Sequence, residues 1–238
     1  MAEVVPGVHR VDGLAGGPRA ANVYLLVDDV LALVDAGLPG NLNGIARYVA
    51  SLGRGLEDLR FILLTHAHPD HTGGAPALRE KTGARVLAHR GDVQAGKNGP
   101  SVAYLRVFGS SPLPLPFLRR VPADGLLEDG DELPILGGLR VHATPGHTPG
   151  SVCFELKERG ALFCDDLIVE GRGRLGKNQA YPGSDLAAYR ASLERIASLD
   201  YEVLCPGHGA AVTQQAAQRV RGLVRQAGPY GLTWRLLG

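Results

Sequence analysis

Apolar and polar positions along the chain mark out strands and helices in turn. Val23-Tyr24-Leu25-Leu26-Val27 and Val30-Leu31-Ala32-Leu33-Val34 flank Asp28-Asp29 and read as a hairpin. Leu42, Ile45, Val49 and Leu52 then recur at helical spacing. Arg60-Phe61-Ile62-Leu63-Leu64-Thr65 predicts a buried strand, residues 73–81 a helix and residues 85–88 a further strand. The second half repeats this order. Leu139-Arg140-Val141-His142-Ala143, Ser151-Val152-Cys153-Phe154-Glu155-Leu156 and Ala161-Leu162-Phe163-Cys164 predict strands. Ser184 reads as an N-cap for a helix carrying Leu186, Tyr189, Leu193 and Ile196. Glu202-Val203-Leu204-Cys205 predicts a last strand and residues 213–226 a last helix. Periodicity alone therefore gives an α/β fold.

Two stretches break the rhythm. Residues 91–124 are rich in Gly, Pro and Ser, with Tyr104, Val107, Phe108, Leu113, Leu115, Phe117 and Leu118 interspersed. An irregular segment of that length with apolar content reads as a lid or wall over a site, or as a contact in a homodimer. Residues 171–183 read as a Gly-rich loop whose Arg172, Arg174, Lys177, Asn178 and Tyr181 are candidate substrate contacts.

Bulk properties narrow the class. The chain has 238 residues, enough for one sizeable core, and is read as a single domain over 1–238 with the insertion at about 91–124. A net charge of +1 points away from nucleic acid and membrane surfaces as partners and leaves a small molecule as the expected one. No apolar run approaches a transmembrane span. Met1-Ala2-Glu3-Val4-Val5-Pro6 lacks the basic-then-apolar order of a signal peptide, so a cytoplasmic location is expected. Cys153, Cys164 and Cys205 form no C-x-x-C pair and read as buried reduced thiols, with a Cys153–Cys164 cross-strand pair as the alternative. Cys205 precedes His208 by three residues, but its strand position argues against metal ligation.

The chemistry concentrates in His66-Ala67-His68-Pro69-Asp70-His71. His66 and His68 share one side of an extended segment, and Pro69 is expected to turn the chain and bring Asp70 and His71 back toward them. Imidazole nitrogen and carboxylate oxygen are ligands for zinc and related ions. Four such groups exceed what one tetrahedral ion needs when a water position stays open, which suggests two adjacent metals. His147, Asp166 and His208 each lie where a strand-like run meets a Gly- or Pro-rich loop, the usual place for catalytic groups.

On these motifs the chain resembles the metallo-β-lactamase superfamily of metal-dependent hydrolases. Leu33-Val34-Asp35-Ala36-Gly37 and Thr148-Pro149-Gly150-Ser151 add to the match. The resemblance implies a four-layer αββα sandwich of two mixed β-sheets flanked by helices. It implies that His66, His68 and His147 hold one metal and Asp70, His71 and His208 the other, with Asp166 rather than Asp165 bridging. Asp165, at a position where many members have Gly, is expected to point to the opposite face of its strand. The implied cofactors are two divalent ions, zinc first, with iron or manganese as alternatives. A bridging hydroxide would attack an ester, lactone, thioester or related carbonyl, with Asp70 also orienting it or carrying its proton. No G-x-S-x-G pattern competes with that reading.

Within the superfamily, exported β-lactamases usually lack an acid at the position of Asp166, so β-lactamase as the main activity is not expected. Glyoxalase-II-like thioesterases carry a substantial helical segment after the last ligand, and the acyl-homoserine lactonases carry a tyrosine where this chain has Val169. The alternative function is a mononuclear iron oxidoreductase resembling the persulfide dioxygenases. His9, His89 and His142 read as structural. Asp35 reads equally as a hydrogen-bond support for a ligand or as a loop-closing turn residue.

Overall fold

The apolar runs pair into two sheets whose inner faces meet. The computed structural model describes residues 2–17, 20–96, 99–102, 119–177 and 184–226. The first half runs β1 (Ala2–Val5), β2 (Val8–Arg10), β3 (Tyr24–Val27), β4 (Leu31–Val34), α1 (Leu42–Ser51), β5 (Leu59–Leu63), α2 (Pro69–Thr72), α3 (Ala75–Thr82) and β6 (Arg85–His89). Short strands β7 (Val93–Gln94), β8 (Ser101–Val102), β9 (Gly125–Leu127) and β10 (Glu132–Leu133) follow. The rest is β11 (Leu139–Ala143), β12 (Val152–Leu156), β13 (Ala161–Phe163), β14 (Ile168–Gly171), β15 (Arg174–Lys177), α4 (Leu186–Ala197), β16 (Val203–Cys205) and α5 (Ala216–Arg225).

One sheet has the order β1-β2-β3-β4-β5-β6-β9 and the other β10-β11-β12-β13-β16. Both are mixed. β1 to β4 pair antiparallel while β4-β5, β5-β6 and β6-β9 are parallel, and in the second sheet only β13-β16 is parallel.

Strand alternation sorts side chains into three apolar layers. Leu25, Leu33, Ile62 and Val86 pack outward with Ile45, Val49 and Leu78 of α1 and α3. Val34, Leu63 and Leu87 point inward and meet Val141, Phe154 and Phe163 of the other sheet. Leu162 and Leu204 face outward against Tyr189, Leu193, Ile196 and Val220 of α4 and α5. Three cores between four layers make the αββα sandwich. Phe154 and Phe163 are fully buried between the sheets, where truncation of such a ring to Ala costs about 3–5 kcal/mol.

Several local expectations need correction. Pro69 does not end helical structure. It occupies the first turn of α2, where its missing N–H costs nothing, and His68 is the extended residue before it. The helix expected from residue 73 begins at Ala75, after Gly73 has closed α2. Asp185, not Ser184, caps α4, accepting hydrogen bonds from the amides of Ala187 and Ala188. The supposed loop at 171–183 begins as a hairpin of β14 and β15, turned by Arg172 and Gly173, both at positive φ. All three cysteines are buried and unpaired, so no Cys153–Cys164 disulfide forms. Within 91–124, β7 and β8 pair as a short ribbon, whereas Tyr104, Val107, Phe108, Leu113, Leu115, Phe117 and Leu118 lie outside the described residues, as do Asn178 and Tyr181. Among the described residues no helix is long and apolar enough to cross a membrane.

Candidate metal centre

β4, β5, β11, β13 and β16 each end near one edge of the sandwich, and the segments that follow them carry the candidate ligands. Thr65, His66 and His68 follow β5, and Asp70 and His71 lie on α2. His147 sits in the loop between β11 and β12. Asp166 lies in a 3-10 turn, Asp165–Leu167, after β13, and His208 follows β16. Gly207 permits the close approach there, because a Cβ would stand 2.5 Å from Asp166 Oδ1 and 3.0 Å from the His71 ring.

The structure gathers all seven residues into one cluster. Ligand atoms of His66, His68, His147 and Asp166 form one group and those of Asp70, His71 and His208 another, with a third, overlapping group of His66, His71 and Asp165, the atoms of each within 4.8 Å of one another. His68 Nδ1 and His147 Nε2 are 3.0 Å apart. Asp166 lies between the groups. Its Oδ2 is 3.4 Å from His147 Nε2, and its Oδ1 is 3.4 Å from His71 Nε2 and 3.3 Å from His208 Nε2. Asp70 Oδ2 lies 3.4 Å from His208 Nε2 and 3.9 Å from His71 Nε2. Six of the seven are buried, and Asp70, with 32% of its side chain exposed, forms the open side.

These donors fit divalent ions. His66 Nε2 is buried with no hydrogen-bond partner among the described residues, which is costly unless something else meets its lone pair. Cys205 does not join the cluster, for its side chain packs between the sheets and burial pushes the thiol up.

A second ring of contacts fixes the ligands. Asp35 Oδ2 lies 2.7 Å from His71 Nδ1 and accepts from Thr65 Oγ1 at 2.8 Å, while Oδ1 accepts from the Thr65 amide at 2.9 Å. Of the two readings of Asp35, the hydrogen-bond support is the one the structure forms, with the candidate ligand His71 as its partner. Thr65 Oγ1 also stands 3.2 Å from His66 Nδ1. Asp165 Oδ1 is 2.5 Å from the same nitrogen, so Asp165 turns toward the cluster and not to the opposite face. Strand alternation fails at that point because β13 ends at Phe163 and Asp165 takes a left-handed φ of 53°.

Three supports were missed in the sequence. Asp92 accepts from Thr148 Oγ1 and the Gly150 amide, both at 2.7 Å, and so holds the His147 loop. Asn22 donates to the carbonyls of Pro206 at 2.9 Å and Gly209 at 2.8 Å, and Tyr24 donates to Pro206 at 2.9 Å, securing the His208 loop. No local pattern marks them, since the partners lie 56 to 187 residues away. His9, His89 and His142 enter none of the ligand groups, and His142 instead meets Glu155 at 2.8 Å.

Charge differs across the cluster. Burial together with neighbouring imidazoles holds His66 well below its ordinary value, and burial with the facing imidazole of the other group member sets His68 at about 4. Burial likewise holds His147 at about 4. Burial also opposes charge on His71, yet Asp35, Asp166 and Asp70 outweigh it and raise that group well above its ordinary value. Asp166 raises His208 in the same way and is itself held low, against burial, by His208 and His71. Burial and the charge of Asp166 push Asp165 up.

Residues 16–208 match the model of the metallo-beta-lactamase superfamily. The chain belongs to that superfamily. It is 33% identical over 197 residues to the probable metallo-hydrolase YqgX of Bacillus subtilis, covering 81% of this chain and 87% of that one. It is 30% identical to the thioesterase pkgB of Emericella nidulans, covering 82% of this chain and 47% of that longer one. The metallo-beta-lactamase family protein TTHA1429 of Thermus thermophilus superimposes with a TM-score of 0.72 at 27% identity, covering 93% of this chain and 79% of that one. Membership, the hydrolase names among relatives and the buried His/Asp cluster together make this a metal-dependent hydrolase at the general level.

Proposed function

We propose that the chain is a dinuclear zinc hydrolase that cleaves small thioesters, or related esters and lactones, in the cytoplasm. In this reading His66, His68 and His147 would hold one ion and Asp70, His71 and His208 the other, with Asp166 available to both. The observation that carries it is the placement of Asp166, whose two oxygens face different donor groups. Bound divalent ions there would supply an acidified water as nucleophile and polarise the carbonyl under attack.

The chain's own residues do the rest. Six buried ligands exclude bulk water from all sides but one. Asp70, on the open side, stands where substrate enters and can orient the nucleophile and hold its proton. Thioesters come first among carbonyl substrates because two relatives are named thioesterases. Three unpaired thiols suit a reducing compartment.

Elemental analysis of the purified protein, with a panel of thioesters, lactones and β-lactams, tests the proposal. The expected result is about two zinc ions per chain, since the two donor groups exceed one tetrahedral site, with thioesters turned over best. One iron per chain, with a coloured protein inert on the whole panel, would instead favour the persulfide-dioxygenase-like alternative.

A further inference from the structure

The cluster holds one buried acid that the proposed ligand scheme does not use. Asp165 is 2% exposed, and neither of its oxygens has an aligned hydrogen bond among the described residues. Its Oδ1 lies 2.5 Å from His66 Nδ1. That contact is not the only one at this nitrogen. Thr65 Oγ1 stands 3.2 Å away, and its hydroxyl proton is already given to Asp35 Oδ2 at 2.8 Å. A hydroxyl whose proton is committed can only accept from the ring, so the proton between them belongs on Nδ1. Nε2 then carries the lone pair, and this is the buried nitrogen that lacks a hydrogen-bond partner.

We infer that Asp165 is a positioning residue for His66, receiving the Nδ1 proton together with Thr65 and thereby fixing the ring with Nε2 toward the first metal. The inference rests on the metal-site reading above. Asp35 already does this for His71 in the other group, at 2.7 Å. The chain thus backs one imidazole in each group with a buried carboxylate. Such partners settle the tautomer and orientation of a ligating histidine, and their loss typically weakens metal binding 10- to 100-fold.

The backbone makes the idea testable without wrecking the turn. Asp165 sits at φ 53°, which glycine adopts more readily than any other residue, and its carbonyl accepts from the Gly207 amide at 3.0 Å. Asp165→Gly therefore removes the carboxylate and eases the backbone. Asp165→Asn keeps an acceptor, and its amide is free to turn its oxygen to His66 because neither Asp165 oxygen holds another aligned partner.

The experiment is a competitive chelator titration of zinc, with cobalt(II) absorption as a second readout, on the full-length wild type and both variants. Asp165→Gly should keep its melting temperature in the metal-free state, lose roughly 10- to 100-fold of affinity at one site only, and alter the cobalt bands of that site. Asp165→Asn should recover most of that affinity. Unchanged affinity in Asp165→Gly, equal weakening of both sites, or an Asn variant as weak as the Gly variant would each overturn the assignment. A wild type that takes up no metal would sink the proposed function instead, so the two failures are distinguishable.

Discussion

The two halves of the metal cluster are built from similar parts under opposite electrostatics. His66, His68 and His147 face one another, and burial outweighs the nearby Asp166 and keeps them proton-free, with His68 and His147 at about 4. His71 and His208 stand among Asp35, Asp70 and Asp166, and both are raised. The first half is thus a neutral imidazole cage ready for a cation, while the second is an acid–base network that is already paired internally. A cation entering the second half must replace protons; one entering the first need not. Burial alone does not make this difference, because His66 and His71 are equally enclosed. The carboxylates do.

Asp166 joins the halves, so its loss should have the largest effect. Asp166→Ala takes an oxygen from each donor group and leaves His208 without its main counter-charge and His71 without one of its three. The expected outcome is loss of both ions and a drop in hydrolysis of roughly 1,000-fold or more, as for removal of a principal electrostatic group. His208→Ala should keep about one ion, because only one of the two groups then lacks a ligand. Metal content by elemental analysis reads both. If Asp166→Ala keeps one tightly bound ion, the halves are independent and the comparison fails.

How far this cluster could be read beforehand depended on where its parts lie in the chain. His66 to His71 announce themselves, because three imidazoles and an acid in six residues have little other use at a strand end. His147, Asp166 and His208 were legible as ends of apolar runs beside Gly and Pro. The layers followed from periodicity and resemblance, and strands such as β4, β5 and β12 fall within a residue or two of expectation. Other features depend on long-range geometry that no local pattern records. Asp92 and Asn22 act on loops far away in sequence. The hairpin of β14 and β15 turns on Arg172 in a left-handed conformation, where Asn or Asp would have signalled it. Asp165 was misplaced because alternation was carried two residues past the end of its strand.

The pH dependence of the metal-free protein should separate the halves by sign. In the folded chain His147 takes its proton only below about 4, against 6.5 ordinarily. Above 6.5 it is neutral in both states and contributes nothing. As pH falls from 6.5 toward 4 the unfolded chain gains a proton that the folded chain refuses, so stability is lost, by up to about 3 kcal/mol. His71 runs the other way. Its folded value is raised, so its contribution is fully present below its ordinary 6.5 and fades as pH rises through the raised value. Denaturant midpoints with chelator present should therefore show His147→Asn losing less stability than wild type on acidification, and His71→Asn losing more. Parallel curves for the two variants would erase the electrostatic distinction.

The smallest expected effect comes from Asp35, the carboxylate behind His71 in the acidic half. Asp35 Oδ1 is tied to the Thr65 amide at 2.9 Å, while Oδ2 meets His71 Nδ1 at 2.7 Å. In Asp35→Asn the amide oxygen must stay with the Thr65 N–H, since turning it would set two donors face to face. The amide NH2 then points at His71 Nδ1 and requires that nitrogen to accept. The ring proton moves to Nε2, the nitrogen that faces Asp166 and Asp70. This is the wrong tautomer for a ligand, in a side chain that otherwise keeps its place. The second site should lose about 10- to 100-fold in zinc affinity, and the first site less, through the Thr65 hydroxyl that Asp35 Oδ2 also holds beside His66. At Asp165 the same replacement should be better tolerated, because the backbone amide beside its carboxylate, that of Asp166, makes no aligned hydrogen bond to either oxygen. Chelator titrations of Asp35→Asn and Asp165→Asn side by side would show the contrast, and equal losses in both would mean that charge, not the direction of one proton, is what these acids supply.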